Sequence, residues 1–156
     1  MDNVAKISLV GSTNVGKSSI KRLLEGDVKD ALFRQTTIGV DIGKIVVDDT
    51  TCILWDLGGQ NQFHLLWDQF MKGTNLTIVV TDSTENNIEE TKDLVERYNR
   101  FQGTKVIAIA NKQDVPGALP PEEVGKRLGL KTYGTVAVDS QNASKMLQIL
   151  RSELAS

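Results

Sequence analysis

Little in this sequence staples, spans or binds indiscriminately. One cysteine, Cys52, in 156 residues excludes an intrachain disulfide. Its place in an apolar strand-like run makes it a buried small hydrophobe, and a reducing cytoplasm is the expected location. With only three prolines and no internal repeat, low-complexity run or linker, residues 1–156 are expected to form a single domain with a substantial core. A formal charge of −2 argues against a general nucleic-acid binder and against a polybasic membrane-surface protein. No apolar stretch is long enough to cross a bilayer. Met1-Asp2-Asn3 offers neither a secretory signal nor a glycine to myristoylate, and Arg151–Ser156 contains no cysteine to prenylate. Membrane contact is therefore expected only through a partner, and the chain is expected to be a monomer.

What the sequence does contain is an alternation of β-rich apolar runs with helix-like stretches, the pattern of a mostly parallel sheet with helices on both faces. Strands are expected at Val4–Val10, Ile42–Val47, Thr51–Trp55, Leu76–Thr81, Lys105–Ala110 and Thr135–Val138, six in all. Helices are expected at Lys17–Leu24, Glu85–Arg100, Pro121–Leu128 and Ala143–Leu154. A polar loop is expected from Asp30 to Thr37, and a hairpin turn at Asp48-Asp49-Thr50. In such α/β folds ligands sit at the carboxyl ends of the strands, so the residues just past each strand carry the functional information.

After the first strand comes Gly11-Ser12-Thr13-Asn14-Val15-Gly16-Lys17-Ser18, a match to G-x-x-x-x-G-K-[ST]. With ordinary glycine usage the pattern arises by chance in about half a per cent of chains this long, and the strand-then-helix context lowers that further. Such a loop turns successive backbone N–H groups and a helix N-terminus onto one phosphate. Gly11 and Gly16 allow the turn and close approach, Lys17 reaches the β- and γ-phosphate oxygens, and Ser18 places a hydroxyl on Mg²⁺, with Ser19 beside it.

Past the strand ending at Trp55 lies Asp56-Leu57-Gly58-Gly59-Gln60. Asp56 is placed to hold Mg²⁺ through water, Gly59 to offer an N–H to the γ-phosphate, and Gln60 to orient an attacking water. Past Ala110 lies Asn111-Lys112-Gln113-Asp114. Guanine presents N1–H and an exocyclic NH₂ side by side, and a carboxylate is the complementary double acceptor, so Asp114 selects guanine over adenine. Asn111 braces the loop and touches the base, and the stem of Lys112 covers a ring face.

These motifs resemble the small GTP-binding proteins of the Ras superfamily, over essentially the whole chain. Trp55–Gln60 and Asn111–Asp114 look most like the Arf branch, whereas Thr36-Thr37-Ile38-Gly39-Val40-Asp41 is similar to the first switch of Rab proteins. The resemblance implies a P-loop NTPase G domain that binds GTP/GDP and Mg²⁺, with Thr37 holding the metal only while the γ-phosphate is present. Loss of that phosphate would release Thr37 and Gly59 together. Thr135-Val136-Ala137 aligns with the loop whose alanine gives guanine O6 a backbone N–H; Val138 follows where Ras-like members carry a lysine. Effector proteins, a GTPase-activating protein and an exchange factor are implied as partners.

Several positions depart from the pattern. Thr13 and Asn14 stand where Ras has glycines, and a side chain at Thr13 would crowd Gln60 or an incoming catalytic finger. Arg34 lies three residues before Thr37, the offset of the arginine that acts in cis in heterotrimeric α-subunits. It reads either as a solvated loop arginine or as a catalytic one. Phe63, Leu66, Trp67, Phe70 and Met71 recur at helical spacing, mostly as core, with Phe63 and Trp67 resembling the effector-contacting patch. His64 reads as a surface residue. Phe33 reads either as stacking near the base or as anchoring its loop. The N-terminal amphipathic helix of Arf has no counterpart before the first strand, so its membrane-coupled lock is not expected to operate. The expected function is Mg²⁺-dependent GTP hydrolysis coupled to movement of two loops. The rival is an interaction module that holds GTP with negligible turnover.

Overall fold

The structure, a computed structural model, describes residues 3–25, 34–37, 40–57, 71–98 and 104–155, with the side chains of 34–37, 97 and 98 excepted. Its strands are β1 (Asn3–Val10), β2 (Arg34–Thr37), β3 (Val40–Val47), β4 (Thr50–Leu57), β5 (Leu76–Thr81), β6 (Lys105–Ala110) and β7 (Thr132–Gly134). Its helices are α1 (Lys17–Glu25), α2 (Glu85–Tyr98), α3 (Pro121–Leu128) and α4 (Ala143–Ala155), the last preceded by a short 3₁₀ turn at Ser140–Asn142.

One sheet has the order β2-β3-β4-β1-β5-β6-β7. The pairs β4–β1, β1–β5, β5–β6 and β6–β7 are parallel, and β2–β3 and β3–β4 antiparallel. Period-two alternation divides each inner strand between two cores. Ile7, Leu9, Cys52, Leu54, Ile78 and Ile107 face α1 and α4, while Val10, Val79, Ala108 and Ala110 face α2 and α3. Double-sided burial explains why Lys105–Ala110 reads as a continuous apolar run. Cys52 is fully buried, and burial pushes its thiol pKa up to about 11, which makes it inert as a nucleophile.

The mostly parallel α/β architecture is as expected, with two differences. Arg34–Thr37, expected as loop, pairs antiparallel with Val40–Gly43 and adds an edge strand. The strand expected at Thr135–Val138 falls instead at Thr132–Gly134, and residues 135–138 form the loop that follows it. Chain order reverses about β1, which sends β2–β4 to one side and β5–β7 to the other. The carboxyl end of β1 is therefore the crevice where such sheets bind ligands.

Far from that crevice, the Glu153 carboxylate ties α4 to the β6–β7 edge. Its side chain is 1% exposed, Lys105 Nζ lies 2.8 Å from Oε2 and Lys131 Nζ 3.1 Å from Oε1. The Tyr133 hydroxyl also donates to Oε1 at 2.6 Å. Burial pushes this carboxyl's pKa up, but donation from Lys105, Tyr133 and Lys131 outweighs it and holds the group down at about 2. A depressed carboxylate pKa stabilises fully above the ordinary value of 4.5, and that stabilisation is lost as pH falls toward about 2. Glu153→Gln is therefore expected to melt lower than the parent near pH 7, with a gap that narrows in acid. Thermal melts of both proteins across that range check it, and a gap independent of pH would contradict the charge-based account.

Candidate functional site

The buried end of β1, Leu9 and Val10, delivers the chain to Gly11, and α1 opens at Lys17, so Gly11–Ser18 spans the strand-to-helix junction. Two steric facts fix its shape. A Cβ on Gly11 would lie 2.6 Å from the Val80 carbonyl oxygen, and one on Gly16, at φ +103°, would lie 2.1 Å from Asn111 Nδ2. Only glycine meets both demands at Gly16. Asn14 sits at φ +70°, a conformation that asparagine tolerates better than most residues. Thr13 and Asn14 are exposed at the tip.

Lys17, 7% exposed, donates to the carbonyls of Gly11 at 3.1 Å and Ser12 at 3.3 Å, which holds its ammonium inside the loop. Burial lowers its pKa, and the charge of Asp56 opposes that shift. Asp56, on β4 and equally buried, accepts a hydrogen bond from Ser18 Oγ at 3.2 Å. Its pKa is raised, chiefly by burial, against the lowering influence of Lys17 and Ser18; Asp41 raises it further and Lys21 lowers it. A hydroxyl and a carboxylate so close together are hard oxygen donors of the kind Mg²⁺ takes. Among the described residues no three His, Cys, Asp or Glu side chains gather, and a few protein oxygens completed by water and phosphate is the usual Mg²⁺ arrangement. The residues present fit that ion.

Asn111 joins this half of the site to the other. Its side chain is 2% exposed and bonded at both ends: Nδ2 donates to the Val15 carbonyl, and the Ala137 N–H donates to Oδ1, each at 2.9 Å. Beside it, Lys112 Nζ donates to the Asn14 carbonyl at 2.6 Å. The loops after β1, β6 and β7 are thereby one hydrogen-bonded unit. The bracing role expected of Asn111 is seen directly. The Ala137 N–H, expected to face guanine O6, is here bonded to Asn111, and Lys112 spends its ammonium on the phosphate loop. Asp114 is exposed beyond them, and Val138 is 81% exposed. A cavity of about 380 Å³ opens between α1 and the loop after β7, lined by Ser19, Arg22, Leu23, Ala137 and Val138.

Two supporting residues are not legible in the motifs. Ser83 Oγ donates to the Asn111 carbonyl at 2.6 Å, and Gln113 Nε2 donates to Ser83 Oγ and to the Leu119 carbonyl, both at 2.9 Å. Gln113 is the variable position of N-K-x-D, and only its neighbours in space reveal its task. Gly58, Gly59, Gln60, Phe33, Phe63, His64, Leu66, Trp67 and Phe70 lie outside the described residues. So do the side chains of Arg34 and Thr37, whose backbones pair with Gly43 and Val40. Met71 is buried at 1% exposure.

The chain is similar to known proteins over most of its length. The model of the ADP-ribosylation factor family matches residues 1–154. ADP-ribosylation factor-like protein 5 of Caenorhabditis elegans is 32% identical over 131 residues, 81% of this chain and 72% of its own. ADP-ribosylation factor-like protein 2 of Arabidopsis thaliana is likewise 32% identical over 131 residues, covering 81% and 70%. Human ADP-ribosylation factor-like protein 4C is 33% identical over 133 residues, covering 80% and 68%. The likeness of Thr36–Asp41 to Rab proteins is confined to that short stretch and does not extend to the family match. The match of the family model to residues 1–154, with relatives 32–33% identical over about four-fifths of the chain, shows that this protein belongs to the ADP-ribosylation factor family of small GTP-binding, GTP-hydrolysing switch proteins.

Proposed function

We propose that residues 1–156 work as one G domain in which each element of the site has a distinct part. Backbone N–H groups of Gly11, Ser12, Thr13, Asn14, Val15 and Gly16, with Lys17, hold the β- and γ-phosphates, and Ser18 and Ser19 hold the α-phosphate side. Ser18, Asp56 and, in the GTP form, Thr37 hold Mg²⁺, which when bound neutralises charge on the phosphates. Gly59 donates to the γ-phosphate and Gln60 orients the attacking water, while Arg34 is the candidate for charge neutralisation in cis. Asp114 reads guanine, Asn111 and Lys112 frame it, and Ala137 and Val138 close the site on the α1 side. The observation that carries this reading is Asn111, whose one buried side chain ties the Val15 carbonyl to the Ala137 N–H and so couples phosphate binding to base binding.

Positioning and electrostatics supply the catalysis, so turnover by the protein alone is slow. Effectors, a GTPase-activating protein and an exchange factor are the expected class of partner. A monomer in the cytoplasm, with no nucleic acid bound, fits the near-neutral charge and the single buried cysteine. The Rab-like element of the chain is its first switch, Thr36–Asp41. The exposed side chain of Thr13 on the loop favours a second reading, an interaction module that barely turns GTP over. Phosphate release from purified, GTP-loaded protein separates the two. Gln60→Leu is expected to lower the rate roughly tenfold or more; equal, negligible rates in both proteins, even with cell extract added, would favour the second reading.

A further inference from the structure

One turn beyond Ser18, α1 carries a lysine where an apolar residue would fill the space. Lys21 is 1% exposed, yet its ammonium lies against the sheet with Asp41 Oδ2 at 3.4 Å and the Glu25 carboxylate on its other side. Gly43 makes the room. A Cβ there would lie 2.9 Å from both Lys21 Nζ and Glu25 Oε1, so any larger residue in β3 would displace the charge. Asp41 and Asp56 are direct partners in the β3–β4 register, and directly opposed residues project from the same face. The arrangement is a square: Ser18 and Lys21 on one face of α1, Asp56 and Asp41 beneath them, with Ser18 bonded to the first and Lys21 paired with the second. Both outer charges stand beside Asp56, since Asp41 is its direct cross-strand neighbour and Lys21 is paired with Asp41.

We propose that Lys21 and Asp41 are an opposed pair of charges that sets how firmly Mg²⁺, and with it the guanine nucleotide, is retained: Asp41 strengthens the hold and Lys21 weakens it. The inference rests on the assignment of Ser18 and Asp56 to the metal. Neither Lys21 nor Asp41 touches the nucleotide; both act through the field at Asp56, in surroundings too dry for water to screen them fully. Asp41 alone would leave two carboxylates facing a divalent ion, which would hold it too tightly for ready exchange. Lys21 offsets that second charge. Because bound metal screens the phosphates from one another, its retention governs how fast nucleotide leaves.

The test is release of a fluorescent GDP analogue from purified protein as free Mg²⁺ is lowered with chelator, read as the Mg²⁺ concentration at half-maximal retention. Melting temperatures are recorded alongside. Lys21→Met is expected to shift the half-point roughly three- to tenfold lower, and Asp41→Asn to shift it higher by a similar factor. The double variant is expected to fall within about threefold of the parent. A purely structural ion pair would loosen α1 in both single variants and shift both half-points upward, so an upward shift in Lys21→Met overturns the proposal. If Lys21→Met does not fold, Asp41→Asn is read against Asp41→Glu, which keeps the charge. A rise in the first alone supports the proposal, and equal rises overturn it. Ser18→Ala separates the two levels of inference. Its own upward shift supports the metal assignment, and unmoved half-points in the Lys21 and Asp41 variants then sink this proposal alone. A half-point unmoved in Ser18→Ala sinks the assignment and the proposal together.

Discussion

Gly16→Ala is expected to lower the affinity for guanine nucleotide by roughly a hundredfold or more, with a smaller loss of thermal stability. The new Cβ would arrive 2.1 Å from Asn111 Nδ2, at a backbone φ of +103° that costs any L side chain strain. Asn111 has nowhere to retreat, because its amide is bonded at one end to the Val15 carbonyl and at the other to the Ala137 N–H. Moving it leaves a buried carbonyl and a buried N–H without partners, each worth about 1–3 kcal/mol, beside about 1–3 kcal/mol of backbone strain. The three contributions together come to about 3 kcal/mol or more, which corresponds to two or more orders of magnitude in binding. Dissociation of a fluorescent GDP analogue, with melting of the nucleotide-free protein as control, measures it. Affinity within about threefold of the parent would mean that the phosphate loop tolerates release from Asn111, and the coupling of the two half-sites would not hold.

The same residue shows where a sequence is legible and where it stops. The placement of the motifs at the ends of β1, β4 and β6 is legible because each is a run of contiguous residues that directly follows an apolar strand. Pro121–Leu128 was readable to the residue because proline occupies the first helical turn and Gly129 follows the last. The loop after β7 was not. Thr135–Val138 has the composition of a strand, yet Thr135 accepts from the Gln113 N–H at 3.2 Å and Ala137 donates to Asn111, and these distant partners hold it as a loop. Arg34–Thr37 is too short and too polar for any period to show, and it becomes a strand only because β3 offers an edge. Lys21 is harder still. Nothing in Ile20-Lys21-Arg22 announces a buried ammonium: Glu25, four residues on, reads as an ordinary partner on the helix surface, while the second counter-charge, Asp41, and the glycine that makes room for the ammonium both lie on β3.

Asp114→Asn is expected to exchange one base preference for another while leaving the fold untouched. The guanine edge offers two donors, N1–H and the exocyclic NH₂, and the carboxylate accepts both. An asparagine in the same place keeps one acceptor and replaces the other with a donor. That donor opposes guanine's NH₂ and matches the O2 carbonyl that xanthine carries there. Losing a charge-assisted bond and gaining a donor–donor clash together cost ~3–4 kcal/mol, so GTP affinity should fall by two to three orders of magnitude and that for xanthosine triphosphate should rise above it. The geometry keeps the exchange clean. Asp114 is exposed, so the substitution disturbs no core. Its backbone is held from both sides, by three hydrogen bonds from Gln113 and by the Val115 N–H donating to the Lys112 carbonyl at 3.0 Å. The position of the side chain thus depends on its neighbours and not on its own contacts. Competition of the two nucleotides for the purified variant, with melting as control, reads the outcome. Retained GTP preference with no gain for the xanthine nucleotide would place the base reader elsewhere in the loop, and unequal melting would show that Asp114 also supports the structure.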